Sequence, residues 1–152
     1  TRWLVMRYKK IKPHLMSESA LREIWEEEYC LQKIVTFDGV NVSCYKEMFD
    51  HIFYESTNRE AKDKSILSYN RLEKIHWIKD TLEDPDAILK KGWDRDKKKY
   101  FADRRVAVVK GNYVVIIRFT KKHNAKLVTA YEKEDISNIM DAPDFEKTDD
   151  YF

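Results

Sequence analysis

Glycine is scarce in this chain. Only Gly39, Gly92 and Gly111 occur in 152 residues, each isolated from the others. Cradling a nucleotide phosphate in backbone N–H groups takes several glycines within a few positions, so neither a phosphate loop nor a dinucleotide fingerprint can be written here. Cysteine is scarcer still. Cys30 and Cys44 are too few for a disulfide framework and lack metal-ligand spacing, so reduced, partly buried thiols are expected. No recognised zinc spacing occurs among His, Cys, Asp and Glu; His51-x-x-x-Glu55 offers at most two ligands, and neither a metal nor a cofactor is expected. No apolar run approaches the roughly 20 residues that cross a bilayer. The opening Thr1-Arg2-Trp3 lacks the long apolar core of an export signal, so the expectation is a cytoplasmic protein without a membrane partner.

What is present is charge and aromatic side chains. Charged residues make up 37% and hydrophobic residues 43%, the balance of a folded chain with a heavily charged surface rather than a disordered one. The net charge of +2 conceals a segregation: residues 90–105 hold eight Lys or Arg against three Asp, and residues 132–152 hold two Lys against eight acids. A basic connector followed by an acidic segment suits a polyanion-binding face that the acidic end partly shields.

Hydrophobic periodicity predicts a single α+β domain over 1–152, with N-terminal helices packed on a C-terminal antiparallel β-meander and an extra N-terminal hairpin. Residues 17–31 form a first helix capped by Ser17 or Ser19. Asp38-Gly39 marks a two-residue hairpin that sets Val35 opposite Val42 and Phe37 opposite Val40. Tyr45, Met48, Phe49, Ile52 and Phe53 recur at helical spacing, which places His51 and Glu55 together on one flank of a second helix. Ser68 caps a third helix running through Leu82. Asp84-Pro85 opens a short fourth helix through Ala87-Ile88-Leu89 that stops at Gly92. Strand patterns follow at Arg105–Val109, Tyr113–Phe119 and Ala125–Tyr131, the middle one apolar on both faces and therefore central. The chain divides into a helix-and-hairpin extension (1–45), a core (46–131) and an acidic segment (132–152) that is poorly ordered after Met140.

Several residues have the chemistry to cleave RNA without a metal. Such a reaction needs a base for the 2′-hydroxyl, an acid for the leaving oxygen, and cations or donors for charge developing on phosphate. His51 carries an imidazole, the side chain whose ordinary pKa lies nearest neutrality, and Glu55 one turn later orients it or acts as the base. Arg71 and Arg105 adjoin apolar periodic segments that fix their forks for phosphate. Lys64, Arg104 and the run Lys97, Lys98, Lys99 add RNA-binding charge. Thr129 and Tyr131 share one face of the last strand, where their hydroxyls converge.

The order of Phe49-Asp50-His51-Ile52-Phe53, Arg71-Leu72-Glu73-Lys74-Ile75-His76-Trp77-Ile78, Pro85 and the strands Tyr113-Val114-Val115 to Thr129-Ala130-Tyr131 resembles the barnase/EndoU/colicin/RelE-like nuclease superfamily, in particular its phage-associated branch. The resemblance spans about half the chain and rests on short, degenerate motifs. It implies helices followed by an antiparallel sheet and a metal-independent endoribonuclease, often a toxin held by a cognate inhibitor or antitoxin, whose product is a 2′,3′-cyclic phosphate. The alternative expectation is a non-catalytic module that binds RNA or protein through the basic connector and aromatics such as Trp93 and Tyr100.

Overall fold

The computed structural model describes residues 7–55, 66–91, 93–94, 99–100 and 104–145, the two short pieces 93–94 and 99–100 by their backbone alone. The fold is α+β, as expected. Helix α1 (Glu18–Trp25) continues into a π-helical turn over Glu26–Cys30, and the hydroxyl of Ser17 caps it by accepting from the Ala20 amide at 3.1 Å. Strands β1 (Ile34–Val35) and β2 (Asn41–Ser43), helix α2 (Met48–Phe53) and a small ribbon of β3 (Tyr54–Glu55) with β4 (Ile66–Leu67) follow. Helices α3 (Tyr69–Leu72) and α4 (Trp77–Glu83) precede β5 (Ile88–Lys91), and β6 (Trp93–Asp94) pairs with β7 (Lys99–Tyr100). The meander β8 (Arg105–Lys110), β9 (Tyr113–Lys121) and β10 (Asn124–Glu132) ends the sheet, and α5 (Ser137–Met140) follows. The main sheet runs β1-β2-β10-β9-β8-β5, antiparallel throughout except that β2 lies parallel to β10.

Alternation along the meander sends Val108, Val115, Ile117, Leu127 and Ala130 to one face, where α1, α2 and α4 supply Leu21, Trp25, Phe49, Phe53, Ile78 and Leu82. Trp25 stacks on Tyr29 with centroids 4.7 Å apart. Residues 7–45 share this core: Ile34 and Val42 are buried in it, and β2 joins the sheet beside β10. The second face carries a smaller cluster of Ala107, Val109 and Val114, covered by Ile136, Ile139 and Met140 from the α5 region.

Four expectations about local structure are corrected. The hairpin is slipped by one residue, with Ile34 opposite Val42 and Val35 opposite Asn41. The reason is a longer loop: Thr36 pairs with Val40, its hydroxyl accepts from the Val40 amide at 2.9 Å and donates to Asp38, and Gly39 takes the positive φ of 91° that a three-residue loop requires. A one-residue slip exchanges faces, which is why Val35 is exposed. Ala87-Ile88-Leu89 does not continue a helix from Asp84-Pro85 but enters β5, because the outer edge of β8 needs a partner and an aliphatic run supplies one. The segment after Met140 is not loose throughout, since Asp144 bridges to Lys90 on the outer edge of β5 and Phe145 is buried against Phe119. Residues 146–152 lie outside the described residues.

The third helix is broken, and one buried side chain breaks it. In an uninterrupted helix the Lys79 amide would donate to the Ile75 carbonyl. Here the Tyr29 hydroxyl stands between them, donating to the Ile75 carbonyl at 2.6 Å and accepting from the Lys79 amide at 3.0 Å. Insertion into the ladder is a recognised cause of kinking. Burial raises the Tyr29 phenol well above its ordinary pKa, so it stays protonated and able to donate. Tyr29→Phe strands a buried carbonyl and amide and should destabilise the fold by about 1–3 kcal/mol in urea unfolding.

The chain before α1 is pinned at Asp84. The Tyr8 hydroxyl donates to its carboxylate at 2.7 Å, the Asp86 amide donates at 2.8 Å, and the Lys110 ammonium lies at 3.4 Å. Burial works to raise the Asp84 pKa, but these donors outweigh it and hold the carboxyl below its usual range. A depressed folded-state pKa stabilises the protein above the ordinary carboxylate pKa of about 4, and this contribution disappears as pH falls through the folded value. Asp84→Asn should therefore lower the thermal midpoint at pH 7, and the gap to wild type should close as pH falls through the depressed folded-state value of Asp84.

Candidate functional site

A cleft of about 200 Å³ opens where α2, β3 and α3 meet the Tyr113 and Glu132 ends of β9 and β10. Glu55, Asn70, Arg71, Lys74, Tyr113, Tyr131 and Glu132 line it over a floor that includes Ile52, Phe53 and Ala130. Pockets for drug-sized ligands run to roughly 300–1,000 Å³, so this cleft suits a segment of a phosphodiester better than a bulky cofactor.

Arg71 is held by the helix that ends in front of it. Helix α2 stops at Phe53, and its last carbonyls need donors from elsewhere. Nη1 of Arg71 donates to the Ile52 and Tyr54 carbonyls, each at 3.3 Å. The Nε and Nη2 hydrogens have no partner among the described residues, so the guanidinium is fixed on one side and available on the other. Its helix begins at Ser68, whose hydroxyl accepts from the Arg71 amide at 3.3 Å.

Lys74 follows three positions later, in the turn where the helix breaks. Its ammonium donates to Asn70 Oδ1 at 3.1 Å and Glu132 Oε1 at 3.0 Å, and lies 5.6 Å from the centroid of Trp77. The Lys74 side chain is only 7% exposed whereas Glu132 is 43% exposed, so the carboxylate can move into solvent and the ammonium cannot. Tyr113 is buried beside them, and desolvation first, then Glu132, raise its phenol so that it remains protonated. Two cations and a neutral phenol thus share a cleft with two carboxylates.

The structure brings three of the expected catalytic residues to this cleft, Glu55, Arg71 and Tyr131, and separates the others. His51 and Glu55 do not share a helix flank, because α2 ends at Phe53 and Glu55 lies in β3; His51 stands on the exposed side of α2 and does not line the cleft. Thr129 and Tyr131 do share a strand face, opposite Ile116 and Val114. It is the second face of the sheet, where Tyr131 packs on the α5 cluster, so Tyr131 borders the cleft from that side while Thr129 does not line it. Arg105 lies in register with Arg118 and Lys126, six residues along β10 from Glu132 and hence roughly 20 Å away. Arg104 is exposed at a φ of 62° just before β8. Lys64, Lys97 and Lys98 lie outside the described residues, and Lys99 is placed only as backbone in β7.

Asn70, Lys74, Tyr113 and Glu132 were not expected at a site. Asn70, Arg71 and Lys74 are spaced i, i+1 and i+4, which does put them on one side of a helical turn. Glu132 carried no comparable signal, since its role depends on a strand meeting a helix 58 residues away. Among the described residues no three His, Cys, Asp or Glu side chains converge as a metal-ligand set, and no helix is long and apolar enough to cross a membrane. No protein family matches the chain, and no match is found among characterised proteins or solved structures.

The Lys74–Glu132 contact is testable apart from any activity. In a double-mutant cycle of Lys74→Met and Glu132→Gln, followed by urea unfolding, the coupling should be about 1–2 kcal/mol, above an exposed pair and below a fully buried one.

Proposed function

We propose that the cleft binds the phosphodiester backbone of RNA and cleaves it by internal transfer to a 2′,3′-cyclic phosphate. The observation that carries this reading is the convergence of Glu55, Arg71 and Lys74, from a strand, a helix and a turn, on one cleft of phosphodiester size. Glu55 takes the 2′-hydroxyl proton while that oxygen attacks phosphorus. The Nε and Nη2 hydrogens of Arg71 meet the charge that builds on the nonbridging oxygens, and the Lys74 ammonium protonates the departing 5′ oxygen. Exchange with water then returns both groups to their starting states. Because the helix end already orients Arg71 and Asn70 and Glu132 already hold Lys74, little reorganisation accompanies the charge shift. In this reading the protein acts as a toxin, and a cell producing it needs an inhibitor protein that covers the cleft.

The test is incubation of the purified protein with mixed RNA in EDTA, with analysis of product ends. Cyclic phosphate ends are expected. Glu55→Gln should slow cleavage by about 10²-fold or more with stability near wild type, since an acid/base group typically contributes 10²–10⁴-fold. Arg71→Lys should also lose rate, because an ammonium cannot span the two carbonyls and still present a fork. His51→Ala should cleave at the wild-type rate. Binding without cleavage would favour the non-catalytic module, and dependence on an added metal would overturn the mechanism.

A further inference from the structure

The second face of the sheet changes character halfway along. On β9 its positions read Val114, Ile116, Arg118 and Thr120; on β8 they read Val109, Ala107 and Arg105; on β10, Tyr131, Thr129, Lys126 and Asn124. The apolar half is covered by the α5 region. The other half carries Arg105, Arg118 and Lys126 directly opposite one another on three adjacent strands, spanning roughly 10 Å at the usual strand spacing. Like charges placed opposite each other across strands are destabilising. Arg118 is exposed, and neither it nor Lys126 makes an ion pair among the described residues. Ser43 stands opposite Lys126 on β2, and two residues on the Tyr45 ring is 41% exposed with the Lys126 ammonium 5.5 Å from its centroid.

We infer that this open half-face is a binding platform for single-stranded RNA, distinct from the cleft on the other side of the sheet. Arg118 and Lys126, aligned across β9 and β10, take phosphates, which removes their mutual repulsion, and Tyr45 at the end of the row offers a ring on which a base can stack. A flat sheet bearing an exposed aromatic fits unpaired bases, whereas a duplex conceals its base faces. The platform rests on the RNA reading for the identity of its ligand, but not on the cleft being catalytic. In the combined picture a long strand wraps the sheet edge to reach the cleft, and a dinucleotide reaches the cleft alone.

The experiment uses the full chain, a labelled single-stranded RNA of about 16 residues, comparable to the larger sites of single-strand binders, and a salt titration of affinity. For Arg118→Gln with Lys126→Gln, the slope of log K against log salt should fall by about 1.4, from two lost contacts at about 0.7 each, and affinity near 0.1 M salt should drop about 25-fold. Tyr45→Ala should weaken binding by about fivefold or more without changing the slope. Glu55→Gln should bind like wild type. Cleavage of a dinucleotide should be unaltered in the platform variants, while cleavage of the long strand falls with its affinity. If wild type binds the strand with these sensitivities yet cleaves nothing, the catalytic reading fails and the platform stands. If the platform variants keep wild-type affinity and slope, or wild type prefers duplex RNA, the platform is overturned, whatever the cleft does. Because these side chains are exposed or half-exposed, Tyr45→Ala should leave urea unfolding unchanged, and neutralising Arg118 and Lys126 should leave it unchanged or raise stability slightly by relieving their repulsion.

Discussion

The Tyr29 hydroxyl between the Ile75 carbonyl and the Lys79 amide is the interaction on which the rest of the arrangement depends. Helix α4 must place Ile78 and Leu82 on the sheet, while α3 must place Arg71 against the end of α2. One straight helix from Ser68 to Glu83 has a fixed angular relation between those residues, 100° per position, and has no freedom to satisfy both neighbours separately. The break supplies that freedom. Because the inserted hydroxyl both donates and accepts, neither backbone group at the break is left unpaired in the core, where a lost partner would be expensive. Lys74 lies in the turn so created, which explains how a nearly buried ammonium comes to lie beside a strand-end carboxylate rather than on a helix surface.

The cleft is therefore assembled from ends. Glu55 follows the end of α2, Arg71 holds that end, Lys74 sits at the break, and Glu132 is the last residue of β10. Ends of elements carry unsatisfied backbone groups, and at this one the same guanidinium that satisfies two carbonyls is thereby oriented toward the cleft. Structure and chemistry are linked at Arg71 in a way that an arginine on an open helix face does not allow. Loss of its fork removes a helix C-terminal partner and, in the proposed reading, a phosphate ligand together.

Much of the fold was legible because it depends on local pattern. The three meander strands, the Ser17 and Ser68 caps, and the apolar stripe of α2 all follow from periodicity and turn chemistry. What was not legible depends on partners distant in sequence. Asp38-Gly39 reads as a two-residue turn until the Thr36 side chain is seen to bond to the Val40 amide and lengthen the loop. Ala87-Ile88-Leu89 reads as helix until β8 is seen to need an edge partner. The stripe of α2 predicts a helix but not where it stops, and the two residues after Phe53, Tyr54 and Glu55, decide whether His51 has a carboxylate one turn ahead. Arg71 was identifiable from its apolar neighbours, whereas Lys74 and Glu132 acquire meaning only from each other.

The period-two alternation of a strand makes β10 contribute to both sides of the sheet at once. Glu132 and Ala130 belong to the cleft side; Tyr131, Thr129 and Lys126 belong to the other. A bulge between Leu127 and Thr129 inserts Val128, and this extra residue keeps Leu127 and Ala130 both in the core although they are three positions apart. Without it, either Ala130 and Glu132 or Leu127 and Ala125 would have to change faces. With the two ends locked in this phase, Ala130 and Glu132 face α2 and α3 while Lys126 stays on the opposite face. The cationic stretch and the ion-paired Lys74 therefore lie on opposite faces of the sheet, and the two surfaces are physically separable.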